Sequence, residues 1–122
     1  MKVLLVDDST TMRKIQRKTL SALGYDAIDE AGDGVMALER VAADPPDMIL
    51  LDWNMPNMDG LTFLKSYRAD GGQAAVIMVT TEAEKSRVIE AIRAGVDNYV
   101  IKPFSPEKLG DTLRETLAKR AA

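Results

Sequence analysis

Four short apolar segments of this chain each end beside a residue that could contact a phosphoryl group or a metal ion. The segments and the residues that follow them are Lys2–Val6 with Asp7 and Asp8, Met48–Leu51 with Asp52, Ala74–Val79 with Thr80, and Tyr99–Ile101 with Lys102. Short apolar segments bounded by turn residues are typical of buried parallel strands, and ligands of open parallel sheets bind outside the carboxyl ends of the strands. We therefore expect carboxylates, a hydroxyl and an ammonium group to meet at one edge of a sheet. Because only one of these groups is a cation, such a site would be acidic and would favour a divalent metal ion.

The composition is that of one folded domain, which we expect to span residues 1–122. Apolar residues make up 46% of the chain and charged residues 29%, which is ordinary for a globular protein. The sequence has no Cys, which excludes disulfides, thiol nucleophiles and zinc sites built on cysteine. It has no His either, which excludes imidazole bases and a role as a phosphohistidine carrier.

The charge and hydropathy of the chain bear on its partners and its location. A net charge of −3 argues against nucleic acid as the main partner. The longest apolar run, Ala74–Val79, is too short to cross a membrane, and the first residues enter a strand without a signal-peptide pattern. We therefore expect a cytoplasmic protein that has neither a nucleic-acid partner nor a membrane partner. We also expect it to be a monomer.

Strand and helix patterns alternate along the whole chain. Thr10 or Thr11 is expected to cap a first helix that Gly24 ends, and Asp26–Ala31 is predicted to be a weak strand near a sheet edge. The residues at helical spacing that mark the inward faces are Met12, Ile15, Thr19, Leu20 and Leu23 in the first helix, Val35, Leu38 and Val41 in the second, Leu61, Leu64 and Tyr67 in the third, Val88, Ile89 and Ile92 in the fourth, and Leu109, Leu113 and Leu117 in the fifth. Ser105 and Pro106 are predicted to begin the fifth helix. The pattern predicts an α/β fold, a (βα)5 doubly wound parallel sheet with helices on both faces.

Four motifs resemble those of the response-regulator receiver family, and together they cover essentially the whole chain. They are Val6-Asp7-Asp8-Ser9, Asp52-Trp53-Asn54-Met55-Pro56-Asn57-Met58-Asp59-Gly60, Thr80-Thr81-Glu82 and Lys102-Pro103-Phe104. Within that family, the motif that begins at Asp52 is similar to that of the stand-alone chemotaxis regulators. The resemblance implies a flavodoxin-like sheet of order 2-1-3-4-5 and a cis peptide bond between Lys102 and Pro103.

The resemblance also implies a chemical role for the acidic residues. Asp52 would be the phosphoacceptor, which takes a phosphoryl group from the phosphohistidine of a chemotaxis-type sensor kinase. Asp8, Asp52 and the backbone carbonyl of Asn54 would hold Mg²⁺, and Asp7 would act on it through water. The metal and Lys102 would neutralise the transferring oxygens. The chain would catalyse only its own phosphorylation and dephosphorylation and would otherwise be a signalling protein.

A switch is implied as well. Thr80 would donate its hydroxyl to the bound phosphoryl group, which leaves room for the Tyr99 ring to turn inward. A partner surface would lie on the fourth helix, the last strand and the last helix, with Ala83, Lys85, Val88, Val96, Tyr99 and Lys108. This surface would take an acidic amphipathic segment of a flagellar motor switch protein or of another effector. A phosphatase is a further implied partner.

Four positions refine these expectations. Thr81 stands where the family often has Ala or Gly, and this would narrow access to the phosphoryl group. Asn54 and Glu82 resemble the chemotaxis type that loses its phosphoryl group quickly. Trp53, next to the phosphoacceptor, is expected to be a surface aromatic.

Other functions are compatible with some of the same residues. A phosphorelay intermediate, or a receiver fragment of a larger regulator, would use the same site. A phosphatase of the haloacid-dehalogenase kind would also use an aspartyl nucleophile, but it usually has a second Asp two positions later, where this chain has Asn54. Such enzymes also need a cap domain, for which we expect no room in 122 residues.

Overall fold

A computed structural model describes residues 1–121 of the chain; Ala122, the last residue of the predicted domain, lies outside the described residues. The elements alternate in the order β1 (Lys2–Val6), α1 (Thr10–Ala22), β2 (Ala27–Ala31), α2 (Gly34–Ala43), β3 (Met48–Leu51), α3 (Gly60–Ala69), β4 (Ala75–Thr80), α4 (Lys85–Arg93), β5 (Asn98–Ile101) and α5 (Pro106–Ala121). All strand pairs are parallel, and the sheet order is β2-β1-β3-β4-β5. The predicted fold class and sheet order are confirmed. Within residues 1–121, no helix is long and apolar enough to span a membrane.

The central strands are apolar because the sheet is covered on both faces. Successive residues of a strand point to opposite faces, so Leu4 and Val6 enter one core cluster while Val3 and Leu5 enter the other. All residues of β3 and β4 are buried. The half-polar β2 lies at one edge, as its sequence predicts.

The ends of three strands differ from the sequence prediction by one residue. β2 begins at Ala27, β5 begins at Asn98, and β4 runs to Thr80 instead of ending before it. The parallel ladder pairs Ile77 with Asn98 and Thr80 with Ile101. Pairing across the sheet therefore sets these ends, although the flanking side chains are polar.

Helix α1 begins one or two residues earlier than predicted, since Thr10 or Thr11 was expected to be its cap. Ser9 is its N-cap, and the Ser9 hydroxyl accepts a 3.1 Å hydrogen bond from the backbone N–H of Met12. Thr10 and Thr11 lie inside the helix. The predicted stop at Gly24 has a φ of +94°, which favours glycine.

The apolar face of α1 also differs from the prediction. Thr19 and Leu20 are buried, whereas Ile15 and Leu23 are exposed. Gln16 is buried instead, because it lies one turn before Thr19 and Leu20 on the same face of the helix. A polar side chain therefore occupies part of the interface between α1 and the core.

Helix α4 packs less tightly against the core than its sequence predicts. Among Lys85–Arg93, only Ala91 is buried. Ile89 and Ile92, which were expected to face the core, are exposed. The small Ala91 side chain lets the helix approach the core, and the larger apolar residues lie beside it toward solvent.

Candidate functional site

The carboxyl ends of the strands bring the predicted site residues together. Asp7 and Asp8 follow β1, Asp52 follows β3, and Lys102 follows β5. Asp7, Asp8 and Asp52 each offer a carboxylate oxygen, and these oxygens lie within 4.8 Å of one another. Asp7 and Asp52 are buried and Asp8 is exposed, so the cluster opens to solvent at Asp8. Hard carboxylate oxygens at this spacing fit a divalent cation such as Mg²⁺.

Lys102 is the counter-ion of this cluster. Its ammonium donates a 2.6 Å hydrogen bond to Oδ2 of Asp7 and a 3.2 Å hydrogen bond to Oδ2 of Asp52. Burial alone would lower the pKa of Lys102, but the hydrogen bond to Asp7 and the charges of both carboxylates outweigh it and raise that pKa. The Lys102–Pro103 peptide bond is cis, as predicted.

The Asp52 carboxylate is fixed through both of its oxygens. The backbone N–H of Trp53 donates a 2.7 Å hydrogen bond to Oδ1, and Lys102 holds Oδ2. Burial raises the pKa of Asp52 and the charge of Asp7 adds to the rise, whereas Lys102 and the Thr80 hydroxyl oppose it. The carboxylate is therefore oriented, and its charge is costly while no further cation is bound.

The loop between β3 and α3 is held by the N-terminus of α2. Asn57 has a left-handed φ of +67°, and its side-chain amide donates a 2.8 Å hydrogen bond to Oδ2 of Asp33. Asp33 is also the N-cap of α2, and the hydrogen bond from the Met36 N–H, followed by that from Asn57, lowers its pKa. The N–H of Gly34 donates a 3.2 Å hydrogen bond to the carbonyl of Met58.

The start of α3 packs closely against the backbone of Asp52 and Trp53, next to the acidic cluster. The N–H of Gly60 donates a 2.7 Å hydrogen bond to the carbonyl of Trp53. A Cβ atom at Gly60 would lie 2.0 Å from the carbonyl oxygen of Asp52. Only glycine fits here, and the start of α3 therefore fixes the backbone that carries Asp52.

Two arginines to which the sequence assigns no role also support the site. The guanidinium of Arg13 donates a 2.5 Å hydrogen bond to the carbonyl of Asp7 and a 2.8 Å hydrogen bond to Oε1 of Glu30. The guanidinium of Arg87, on α4, lies over the Trp53 ring at 5.2 Å from its centroid. No motif marks Arg87, because its contact with Trp53 joins residues that are distant in sequence.

Trp53 is not the surface aromatic that the sequence predicts. Its side chain is in the core cluster on one face of the sheet, and the residue is only 3% exposed. The Arg87 side chain lies over it and covers the ring. Arg87, which is itself exposed, therefore helps to bury Trp53.

Asn54 and Glu82 are joined directly. The side-chain amide of Asn54 donates a 2.9 Å hydrogen bond to Oε1 of Glu82. This bond links the loop after β3 to the loop after β4. The sequence indicated both positions but not the bond between them.

The two predicted switch residues meet at Glu82. The Thr80 hydroxyl oxygen accepts a 3.4 Å hydrogen bond from the Glu82 N–H, and the Tyr99 hydroxyl donates a 2.7 Å hydrogen bond to the Glu82 carbonyl. Burial raises the pKa of Tyr99 to about 12, and the charge of Glu82 adds to this rise. The Tyr99 ring therefore faces the loop after β4.

The residues of the predicted partner surface differ in their exposure to solvent. Ala83, Lys85 and Lys108 are exposed, and Val88 and Tyr99 are half-buried. Val96 differs from the prediction: it is 7% exposed and packs in a core cluster, since it follows the turn that ends α4. Ile92, 58% exposed on α4, and Ile101, exposed on β5, are large apolar residues on these elements that the prediction missed.

Comparisons with known proteins agree with this fold. The family profile described as "Response regulator receiver domain" matches residues 3–114. Chemotaxis protein CheY1 of Helicobacter pylori is 48% identical over 120 residues, which cover 96% of this chain and 97% of that protein. The solved structure of Vibrio cholerae chemotaxis protein CheY4 has a TM-score of 0.87 at 36% identity and covers 94% of this chain and 97% of its own.

A further solved structure is that of a CheX–CheY–BeF3–Mg²⁺ complex from Borrelia burgdorferi. Its matching chain has a TM-score of 0.91 at 28% identity, and the match covers 96% of this chain and 89% of that one. These similarities, together with the family match over nearly the whole length, identify a signalling protein of the response-regulator class. The chain belongs to the response regulator receiver family, and within it the chain is homologous to the CheY chemotaxis regulators.

Proposed function

We propose that this chain is a cytoplasmic phosphoacceptor of chemotaxis signalling, a single receiver domain whose phosphorylated residue is Asp52. The observation that carries the proposal is the environment of that carboxylate. Asp52 is held through one oxygen by the Trp53 N–H and through the other by Lys102. It also lies in a carboxylate cluster with Asp7 and Asp8. A nucleophile that is oriented and paired with a cation is what phosphoryl transfer needs, because positioning and charge neutralisation supply most of its catalysis.

The proposed reaction is attack of an Asp52 carboxylate oxygen on the phosphorus of a phosphohistidine in a chemotaxis-type sensor kinase. A bond forms between that oxygen and phosphorus, the bond from phosphorus to the imidazole nitrogen breaks, and that nitrogen regains a proton. Lys102 stabilises the anionic oxygens of the transferring group. The chain acts only on itself in this reaction and in the later hydrolysis, and a phosphatase is proposed to assist the hydrolysis.

The residues present fit Mg²⁺ as the cofactor. Asp8, Asp52 and the backbone carbonyl of Asn54 would hold it, and Asp7 would contact it through water. When bound, Mg²⁺ supplies positive charge that neutralises the phosphoryl oxygens. The Borrelia relative was solved with BeF3 and Mg²⁺, which supports this assignment.

The proposed output is a change at the surface of α4, β5 and α5. The Thr80 hydroxyl donates to the phosphoryl group, and Tyr99 holds the loop after β4 through the Glu82 carbonyl. The surface contains the exposed residues Ala83, Lys85 and Lys108, and Ile92 adds an apolar contact. Its mixture of basic and apolar groups suits an acidic amphipathic segment of a flagellar motor switch protein or another effector.

Intact-mass measurement after incubation with Mg²⁺ and phosphoramidate tests the phosphoacceptor. The wild type should gain one phosphoryl group, and Asp52→Asn should gain none. Asp70→Asn, an exposed change at the end of α3, is the matched control and should behave as the wild type. An Asp52→Asn variant that is still phosphorylated to the wild-type extent would overturn the assignment.

A further inference from the structure

Arg87 forms a lid over the aromatic residue next to the phosphoacceptor. Its guanidinium carbon lies 5.2 Å from the centroid of the Trp53 ring. The Arg87 side chain is 47% exposed, whereas Trp53 is almost fully buried. A guanidinium over the face of an indole is a favourable cation–π contact, so Arg87 both shields the ring and attracts it.

Trp53 in turn orients the phosphoacceptor. Its N–H donates the 2.7 Å hydrogen bond to Oδ1 of Asp52, and its carbonyl accepts the 2.7 Å hydrogen bond from Gly60. Both peptide groups of Trp53 are therefore engaged, and its ring is packed in the core. A shift of the ring would move the N–H that fixes the Asp52 carboxylate.

Helix α4 has few other attachments. Ala91 is the buried residue among Lys85–Arg93, and the N-cap residue Glu84 makes no side-chain capping hydrogen bond. The contact between Arg87 and Trp53 is thus one that joins α4 to the loop that carries the phosphoacceptor.

We propose that Arg87 is a positioning residue, which orients Asp52 by holding Trp53 and so joins α4 to the phosphoacceptor by a second route, separate from Thr80 and Tyr99. The inference rests on the proposed function, because it concerns the same phosphoacceptor. If this proposal holds, the coupling between α4 and Asp52 is reciprocal. A partner that moves α4 would change the orientation of Asp52 through Arg87, and a change at Asp52 would be felt by α4.

Two substitutions at Arg87 and one control test this proposal. Arg87→Ala removes the lid, and Arg87→Lys keeps a cation but loses the planar guanidinium. Arg93→Ala removes the same charge from the same helix at an exposed position and is the control. Trp53 is the only Trp of the chain, so its fluorescence reports this site alone.

We expect Arg87→Ala to make Trp53 more accessible to acrylamide and to weaken beryllofluoride binding in the presence of Mg²⁺ by about 2- to 5-fold, the range of an exposed cation–π contact. Arg87→Lys should be intermediate, and Arg93→Ala should match the wild type. Equal beryllofluoride affinity for Arg87→Ala and Arg93→Ala would overturn the proposal.

A double-mutant cycle separates positioning from a general effect of charge. In a Trp53→Leu background, followed by calorimetry, Arg87→Ala should cause no further loss of beryllofluoride affinity. A loss of the same size in both backgrounds would show that Arg87 acts without Trp53 and would overturn the route proposed here. A wild type that binds no beryllofluoride with Mg²⁺ would instead contradict the proposed function itself, and this inference with it.

Discussion

Lys102 donates a 2.6 Å hydrogen bond to Asp7, a residue 95 positions earlier in the chain. Asp7 is almost fully buried, and the same ammonium also reaches Asp52 at 3.2 Å. One cation thus serves two buried carboxylates. Because Lys102 is shared, removing its charge or the charge of either carboxylate should change the stability of the protein.

Lys102→Met should destabilise the protein in metal-free buffer at neutral pH. The substitution leaves Asp7 buried and without its cation, and breaking a buried pair in this way costs about 3 kcal/mol. Denaturant melts in EDTA measure the change, with Lys65→Met at an exposed position of α3 as the control. Addition of Mg²⁺ should recover part of the loss, and a variant as stable as the control in EDTA would contradict the pairing.

The raised pKa of Lys102 also predicts an alkaline effect. A lysine whose folded pKa lies above the unfolded value, about 10.4, contributes its full stability below that pH and loses it as the pH rises through the folded pKa. The difference in unfolding free energy between wild type and Lys102→Met should therefore shrink above about pH 10.4. A difference that stays constant there would argue against the pKa shift.

Asp52→Asn should have the opposite effect on metal-free protein. Carboxylates about 5 Å apart repel by about 3 kcal/mol at an effective dielectric near 20, and loss of the attraction to Lys102 offsets part of the relief. We expect a net gain of about 1 kcal/mol in unfolding free energy at pH 7, measured in EDTA.

The pH dependence of that gain follows from the raised pKa of Asp52. Below the unfolded pKa of about 3.9 the side chain is neutral in both states, and its charge costs nothing. The cost appears as the pH rises through the folded pKa, so the advantage of Asp52→Asn should grow over that range. If the stability advantage of Asp52→Asn were largest at low pH, the pKa of Asp52 would be lowered in the folded protein and not raised.

The acidic site was largely predictable, because its residues follow segments whose apolar composition predicts buried strands. Asp7, Asp52 and Lys102 are examples, since parallel strands place their carboxyl ends at one edge. The N-cap of α1 was not predictable in the same way: Ser9 and the two threonines that follow it can all cap a helix, and packing decides among them.

The remaining differences concern contacts between elements. Gln16 is polar in sequence but buried, and Trp53 is covered by an arginine from another helix. Val96 is buried because the turn after α4 directs it into the core. Each of these outcomes depends on where a second element lies, and local periodicity carries no information about that.

Gln16→Met should raise stability. Gln16 is 1% exposed, and its side-chain carbonyl oxygen accepts no hydrogen bond from the described part of the chain. Replacing a buried group that lacks a partner by an apolar side chain of similar size should add about 1 kcal/mol to the unfolding free energy. Thermal and denaturant melts check this beside Lys18→Met, an exposed change on the same helix. A clear loss of stability would indicate that the Gln16 amide has a role in packing that an apolar group cannot fill.

Gly60→Ala should destabilise the protein more than Gly24→Ala. A Cβ atom at Gly60 would meet the Asp52 carbonyl at 2.0 Å, whereas Gly24 has open space and only an unfavourable φ of +94°. We expect losses of about 3 kcal/mol for Gly60→Ala and about 1 kcal/mol for Gly24→Ala. Phosphorylation by phosphoramidate should slow only in Gly60→Ala, and equal effects of the two changes would contradict the close approach behind Asp52.

The central claim is that phosphorylation of Asp52 changes the affinity of the α4–β5–α5 surface for a partner. The direct measurement is titration of a flagellar motor switch peptide into the wild type with Mg²⁺, with and without beryllofluoride. We predict that beryllofluoride tightens binding by about 5- to 150-fold, the usual range of such coupling, and that it has no effect in Asp52→Asn. Equal peptide affinity in the two states of the wild type would contradict the claim.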